Sequence, residues 1–159
     1  MQYIAFRVAR QEFVMDASRV RGLAPAHEVT ALETRVPWII GVASIRGHDF
    51  PVIDLRGKLN IPHGSHGRMP CVIAVEVASS NGPRLIGFIA DRVSEVLTLR
   101  PRDLHSGAVR ISGRTRRILD PDAILSEQEL LGYWRLAEKP VASEKPDCDW
   151  PDLRNRPSP

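Results

Sequence analysis

The turns of this chain come too close together for helices to fit between its apolar runs. Ile4, Phe6 and Val8 alternate with Ala5, Arg7 and Ala9, and only Arg10-Gln11-Glu12 separates that run from Phe13-Val14-Met15. Val36–Ile45 and Asp49–Leu55 are joined through Arg46-Gly47-His48, and Cys71–Ala78 meets Leu85–Ala90 across Ser79-Ser80-Asn81-Gly82-Pro83. A parallel crossover needs a dozen or more residues, whereas an antiparallel pair closes with two to five turn residues. Val93, Val96, Leu97 and Leu99 continue the core, and Ala108–Ile111 with Arg117–Leu119 suggests a last hairpin around Ser112-Gly113-Arg114-Thr115. The chain is therefore expected to be mainly β. Many short strands at hairpin spacing argue for small β-barrels rather than βαβ units.

Helices are expected only at the edges. Asp16 reads as the N-cap of a short helix with Val20 and Leu23 on one face, stopped by Pro25. Asp120-Pro121 is a cap followed by proline at the first helical position. Ser126 and Glu129 make a capping box for a further helix, with Leu130, Trp134 and Ala137 on one face and Pro140 at its end. Residues 140–159 hold five prolines among interleaved charges, which predicts a disordered tail. Residues 1–138 are then one domain, a size that supports a sizeable core.

The charge is local. Five arginines (102, 110, 114, 116 and 117) against two aspartates give residues 101–120 the chain's whole net charge of +3. Cys71 lies in an apolar run far from Cys148, so neither a disulfide nor a metal site is expected. The alternating start lacks the apolar core of a signal peptide, and no stretch is long enough to span a bilayer, which predicts a cytoplasmic protein.

Catalytic patterns are missing. The chain contains no GxSxG, GxGxxG or GxxxxGK[ST]. His63 and His66 in a Gly-rich loop, with His48 as a third ligand, would hold a metal only if the loop fixed their rings, and solvated histidines are expected instead. Asp54 and Asp91 are lone carboxylates at strand ends, whose simplest use is to accept from backbone amides. The arginines of RISGRTRRI (110–118) offer phosphate contacts, but no aromatic lies between Phe88 and Tyr133 to stack on bases. Three readings of that patch stand: a solubilising hairpin tip, a contact for an acidic protein surface, or a nucleic-acid site on a small barrel.

One stretch points to a family. Pro37, Ile40, Gly41, Val42, Ile45, Arg46, Gly47, Pro51, Val52, Ile53, Asp54 and Leu55 fall in the register P-x-x-I-G-V-x-x-I-R-G-x-x-x-P-V-I-D-L, which resembles the signature of CheW-like domains. Residues 3–20 are similar to that family's opening hairpin and short helix. LIGFIADRVSEVL (85–97) is similar to its G-x-x-V-D-x-V-x-x-V-L segment, with Ala90 in place of the first Val. RILDPDAILSEQEL resembles its last strand and first C-terminal helix. The likeness covers about residues 2–135.

The resemblance implies two intertwined, SH3-like five-stranded barrels around a shared core, with short helices at the C-terminal end. It implies an adaptor without catalysis or cofactor, bridging a methyl-accepting chemotaxis receptor and the regulatory domain of a CheA-type histidine kinase, among other CheW-like proteins. No nucleic acid and no membrane insertion are implied. The positions matching the receptor-facing surface are Val20, Leu23, Arg46, Gly87 and Ile89, while Arg110, Arg114, Arg116 and Arg117 are candidates for contact with the kinase or another partner. Gly41, Gly47, Pro51, Asp54 and Asp91 match as structural motif residues. Arg46 has two readings, an interface anchor or a corner residue bonding carbonyls. The chain departs from the family at Gly22, where a Glu is common, and in a shorter stretch from His105 to Arg117, which predicts weakened kinase contact.

Overall fold

The computed structural model describes residues 1–32, 38–62, 69–80, 82–126, 128, 129 and 132. Twelve strands form two curled six-stranded sheets. They are β1 (Gln2–Val8), β2 (Gln11–Asp16), β3 (Val20–Pro25), β4 (Thr30–Ala31), β5 (Ile39–Ile45), β6 (His48–Asp54), β7 (Cys71–Val77), β8 (Arg84–Ala90), β9 (Arg92–Thr98), β10 (Leu104–His105), β11 (Ala108–Ile111) and β12 (Arg114–Ile118). The first sheet runs β10-β11-β12-β2-β1-β9 and the second β3-β7-β8-β6-β5-β4. The first is thus made from both ends of the described chain and the second from its middle. Neighbours pair antiparallel except β12 with β2 and β6 with β8, where strands distant in sequence meet side by side.

Burial explains why so many strands read as unbroken apolar runs. Ile4, Phe6, Phe13, Ile53, Ile73, Val75 and Phe88 fill a core shared by the two sheets. The opposite faces of the same strands fill private cores: Tyr3, Ala5 and Val14 in the first sheet, Val52, Val72, Ala74 and Ile89 in the second. A strand buried on both faces loses its polar alternation. Phe6 and Phe13, directly paired across β1 and β2, stack at 5.6 Å between centroids in the shared core.

The helix expected to start at Asp16 is a single 3-10 turn, Ala17–Arg19. Asp16 does cap it, accepting from the Ser18 amide at 2.9 Å. Val20–Pro25 is instead a strand, with Val20, Gly22 and Ala24 buried at a period of two and Val20 opposite Val75. β-branched packing against β7 outweighs the local cap signal. Among the described residues, two four-residue helices, α1 (Leu55–Lys58) and α2 (Pro121–Ile124), are each capped by the aspartate before them. The Ser126–Glu129 capping box is present, with the Glu129 amide donating to Ser126 Oγ at 3.1 Å and the Ser126 amide to Glu129 Oε1 at 3.3 Å. Leu130, Trp134, Ala137, His63, His66, Cys148 and the Pro-rich tail lie outside the described residues.

Pro51 sits inside β6, which has neighbours on both sides. It pairs with Val42 of β5, and pairing with β8 begins only at Val52. The missing N–H therefore falls where β6 is still an edge towards β8.

Candidate functional site

The second sheet carries all five receptor-facing candidates but does not gather them into one surface. Val20 is fully buried and Leu23 half-buried, both packed on the shared core. Ile89, 5% exposed, faces the second sheet's own core. Gly87 is buried too, and a Cβ there would lie 2.9 Å from both Phe50 and Val72. Val20, Gly87 and Ile89 therefore lie within the sheet's packing, while Leu23 stays partly open to solvent.

Gly87 belongs to a row that crosses the whole sheet. Gly22 pairs with Ala74, Ala74 with Gly87, Gly87 with Val52, Val52 with Gly41, and Gly41 with Ala31. A Cβ at Gly41 would fall 2.0 Å from the Thr30 carbonyl oxygen, so β4 closes over β5 only because that position is glycine. Small residues along one row let the sheet curl tightly.

Arg46 differs from the rest. It is exposed at the tip of the β5–β6 hairpin, followed by exposed Gly47, His48 and Asp49. Arg46 and Gly47 have φ of 49° and 81°, the pattern of a two-residue hairpin turn whose twist matches the strands. Left-handed backbone is unfavourable for a side chain other than glycine, asparagine or aspartate. The same turn recurs at Ser106-Gly107 and Ser112-Gly113, with serine in first place. Turn geometry thus does not demand arginine. Among the described residues Arg46 makes no hydrogen bond or ion pair.

Ten residues on, an arginine that the sequence did not single out has the opposite fate. Arg56, in α1, is 2% exposed and donates through Nη2 to both Asp91 oxygens at 2.9 Å. Asp91 is the single residue between β8 and β9, where the chain leaves the second sheet for the first. It also accepts from the Ala9 amide, and its own amide donates to the Arg7 carbonyl at 2.9 Å. This buried pair bolts the sheets together. Asp54, by contrast, caps α1 by accepting from the Arg56 amide at 3.0 Å.

The other crossing, from β2 to β3, is tied by Arg19. Its guanidinium donates to Asp122 of α2 at 2.9 Å and to the Glu76 carbonyl at 2.9 Å. The Arg19 hydrogen bond holds the Asp122 carboxyl below its ordinary range, and the Ala78 amide adds to the shift. Arg21 reinforces the site by pairing with Glu76 at 2.7 Å.

The arginine-rich segment lies in the first sheet and is only partly free. Arg116, with its side chain 11% exposed, reaches Glu12 at 3.3 Å and Glu95 at 3.2 Å, spanning β12, β2 and β9 across one mouth of the sheet. Arg117 donates to Gln11 at 3.2 Å and stacks 5.6 Å over the Phe13 ring. Arg114 is 3.7 Å from Glu12 but mostly exposed, and Arg110 is exposed on β11.

No three His, Cys, Asp or Glu among the described residues gather as metal ligands. Burial pushes the Cys71 thiol up to about 11, which leaves little thiolate at neutral pH. No helix among the described residues is long and apolar enough to cross a membrane. Among its described residues the chain offers two curled β-sheets with an exposed, charged tip between β5 and β6.

The CheW-like domain family matches residues 2–129, and the chain belongs to that family. Chemotaxis protein CheW of Rhizobium meliloti (strain 1021) is 28% identical over 145 residues, covering 80% of this chain and 89% of that protein. Chemotaxis protein CheW of Bacillus subtilis (strain 168) is 24% identical over 139 residues, covering 79% and 86%. Among solved structures, the scaffolding protein TtCheW from Thermoanaerobacter tengcongensis superposes with a TM-score of 0.70 at 19% identity, covering 82% of this chain and 92% of that one.

Proposed function

We propose that this chain is a cytoplasmic, non-enzymatic adaptor that couples a methyl-accepting chemotaxis receptor to a CheA-type histidine kinase, alongside other CheW-like proteins. Family membership supports the role, and one observation points to the contact. Arg46 stands exposed and unpaired among the described residues, in a turn that serine serves elsewhere in the same molecule. An arginine held in left-handed backbone without an internal partner fits an interface anchor, since interfaces concentrate binding energy in a few Arg and aromatic residues.

The test is binding to a purified receptor cytoplasmic tip by calorimetry. Arg46→Ala is expected to weaken binding at least about tenfold with the melting temperature unchanged. Unaltered affinity in a folded Arg46→Ala protein removes the residue from the interface.

A second, finer reading concerns the kinase. The segment from His105 to Arg117 is short, with β10 and β11 only two and four residues long. Much of its charge is engaged by Glu12, Gln11 and Glu95. These features favour weaker contact with the kinase regulatory domain than with the receptor. Calorimetry against that domain tests it, and tight kinase binding would overturn it.

A further inference from the structure

The parallel pairing of β12 with β2 does more than complete the first sheet. It brings Arg114 and Arg117 beside the Arg10-Gln11-Glu12 turn, about a hundred residues earlier in the chain. Between them lies an open basin of about 480 Å3 lined by Arg10, Gln11, Glu12, Arg114, Thr115 and Arg117. Every lining residue is polar and three are arginines. The basin's only carboxylate, Glu12, already faces Arg116 at 3.3 Å and Arg114 at 3.7 Å. Arg10 is exposed and, among the described residues, makes no hydrogen bond or ion pair.

We infer that this basin docks an acidic segment of a partner protein, with Arg10, Arg114 and Arg117 receiving its carboxylates. The inference goes beyond the receptor contact at Arg46 and stands on different residues from it, in the other sheet. Arg117 is held in place by the Phe13 ring and Gln11, so ordering it on binding costs little. Guanidinium forks match carboxylates in bidentate geometry, and discrete carboxylates can be placed around Glu12 where a continuous phosphate backbone would run against it. No aromatic residue lines the basin, and Phe13 beneath Arg117 is only 1% exposed, so no aromatic ring is offered there for bases to stack on. Arg116 takes no part, because Glu12 and Glu95 occupy it.

Fluorescence anisotropy with a labelled oligo-glutamate peptide tests the site in the full chain. Binding is expected to weaken about tenfold between about 50 and 300 mM salt. Arg114→Glu is expected to reduce affinity about tenfold at low salt, while Arg102→Glu, the same charge change on an exposed residue outside the basin, stays within about twofold. Arg114→Gln removes the charge without placing a second carboxylate beside Glu12, and circular dichroism verifies that both variants fold. Equal affinity of the Arg114 variants and the parent overturns the inference. So does tighter, Arg114-dependent binding of a single-stranded oligonucleotide of equal charge. Receptor-tip binding, measured on the same Arg114 variants, is expected to stay unchanged, which separates this surface from Arg46.

Discussion

The tip of the β5–β6 hairpin and the junction at the end of β8 each hold an arginine, and they are used in opposite ways. Arg46 is exposed, sits in left-handed backbone and has no internal partner among the described residues. Arg56 is buried against Asp91 and joins the sheets. Burial and partners, not residue type or distance along the chain, decide which charge belongs to the fold and which is left for another molecule. Arg116 and Arg19 fall between these extremes, with side chains 11% and 28% exposed.

That gradient can be broken by mutation. Asp91→Ala removes the carboxylate that faces the buried Arg56 guanidinium and is expected to cost about 3–5 kcal/mol in urea denaturation. A loss under about 1 kcal/mol would mean that water reaches the junction and the contrast with Arg46 is false. Arg116→Ala breaks a half-buried link to two glutamates and should cost about 1–2 kcal/mol in the same assay.

Acid should touch Arg19–Asp122 next. The folded carboxyl is held below its unfolded value, so its contribution is present at neutral pH and is lost as pH falls through the folded value. Solvent screening limits the pair to about 1 kcal/mol or less. Asp122→Asn should flatten the acid limb of a melting-temperature profile by that amount. Arg46→Asn comes last, with a stability change within about 0.5 kcal/mol, because asparagine tolerates left-handed backbone and no internal contact is removed. Thermal melting checks it.

Strands were legible where turn residues punctuated them. Arg46-Gly47 and Ser112-Gly113 fall at hairpin tips because positive φ favours Gly in the second place. The β3 strand was not legible. Val20 and Leu23 match a helical spacing, whereas the buried set is Val20, Gly22 and Ala24, and small residues give a weak periodic signal. Arg56 was invisible because nothing around it in sequence marks it as buried. Its partner is 35 residues away, and they meet only because Asp91 is where the chain changes sheets. Glu12 and Arg116, 104 residues apart, were hidden for the same reason. Within the candidate site, the exposure of Arg46 was readable from its turn. The burial of Gly87 and Ile89 was not, since a strand's alternation does not say which face meets water when both are covered.

The first sheet's use of both chain ends also sets an order of events during synthesis. Every strand of the second sheet has been made once Ala90 leaves the ribosome, but in the first sheet β2 lacks its second neighbour, β12, until Ile118 follows. The β1–β2 hairpin, carrying Phe6 and Phe13, emerges before the rest of the domain and must hold its apolar faces while the other strands are still being translated. Long-range closure of this kind is slow and leaves apolar surface open to aggregation. The first barrel is begun first and finished last.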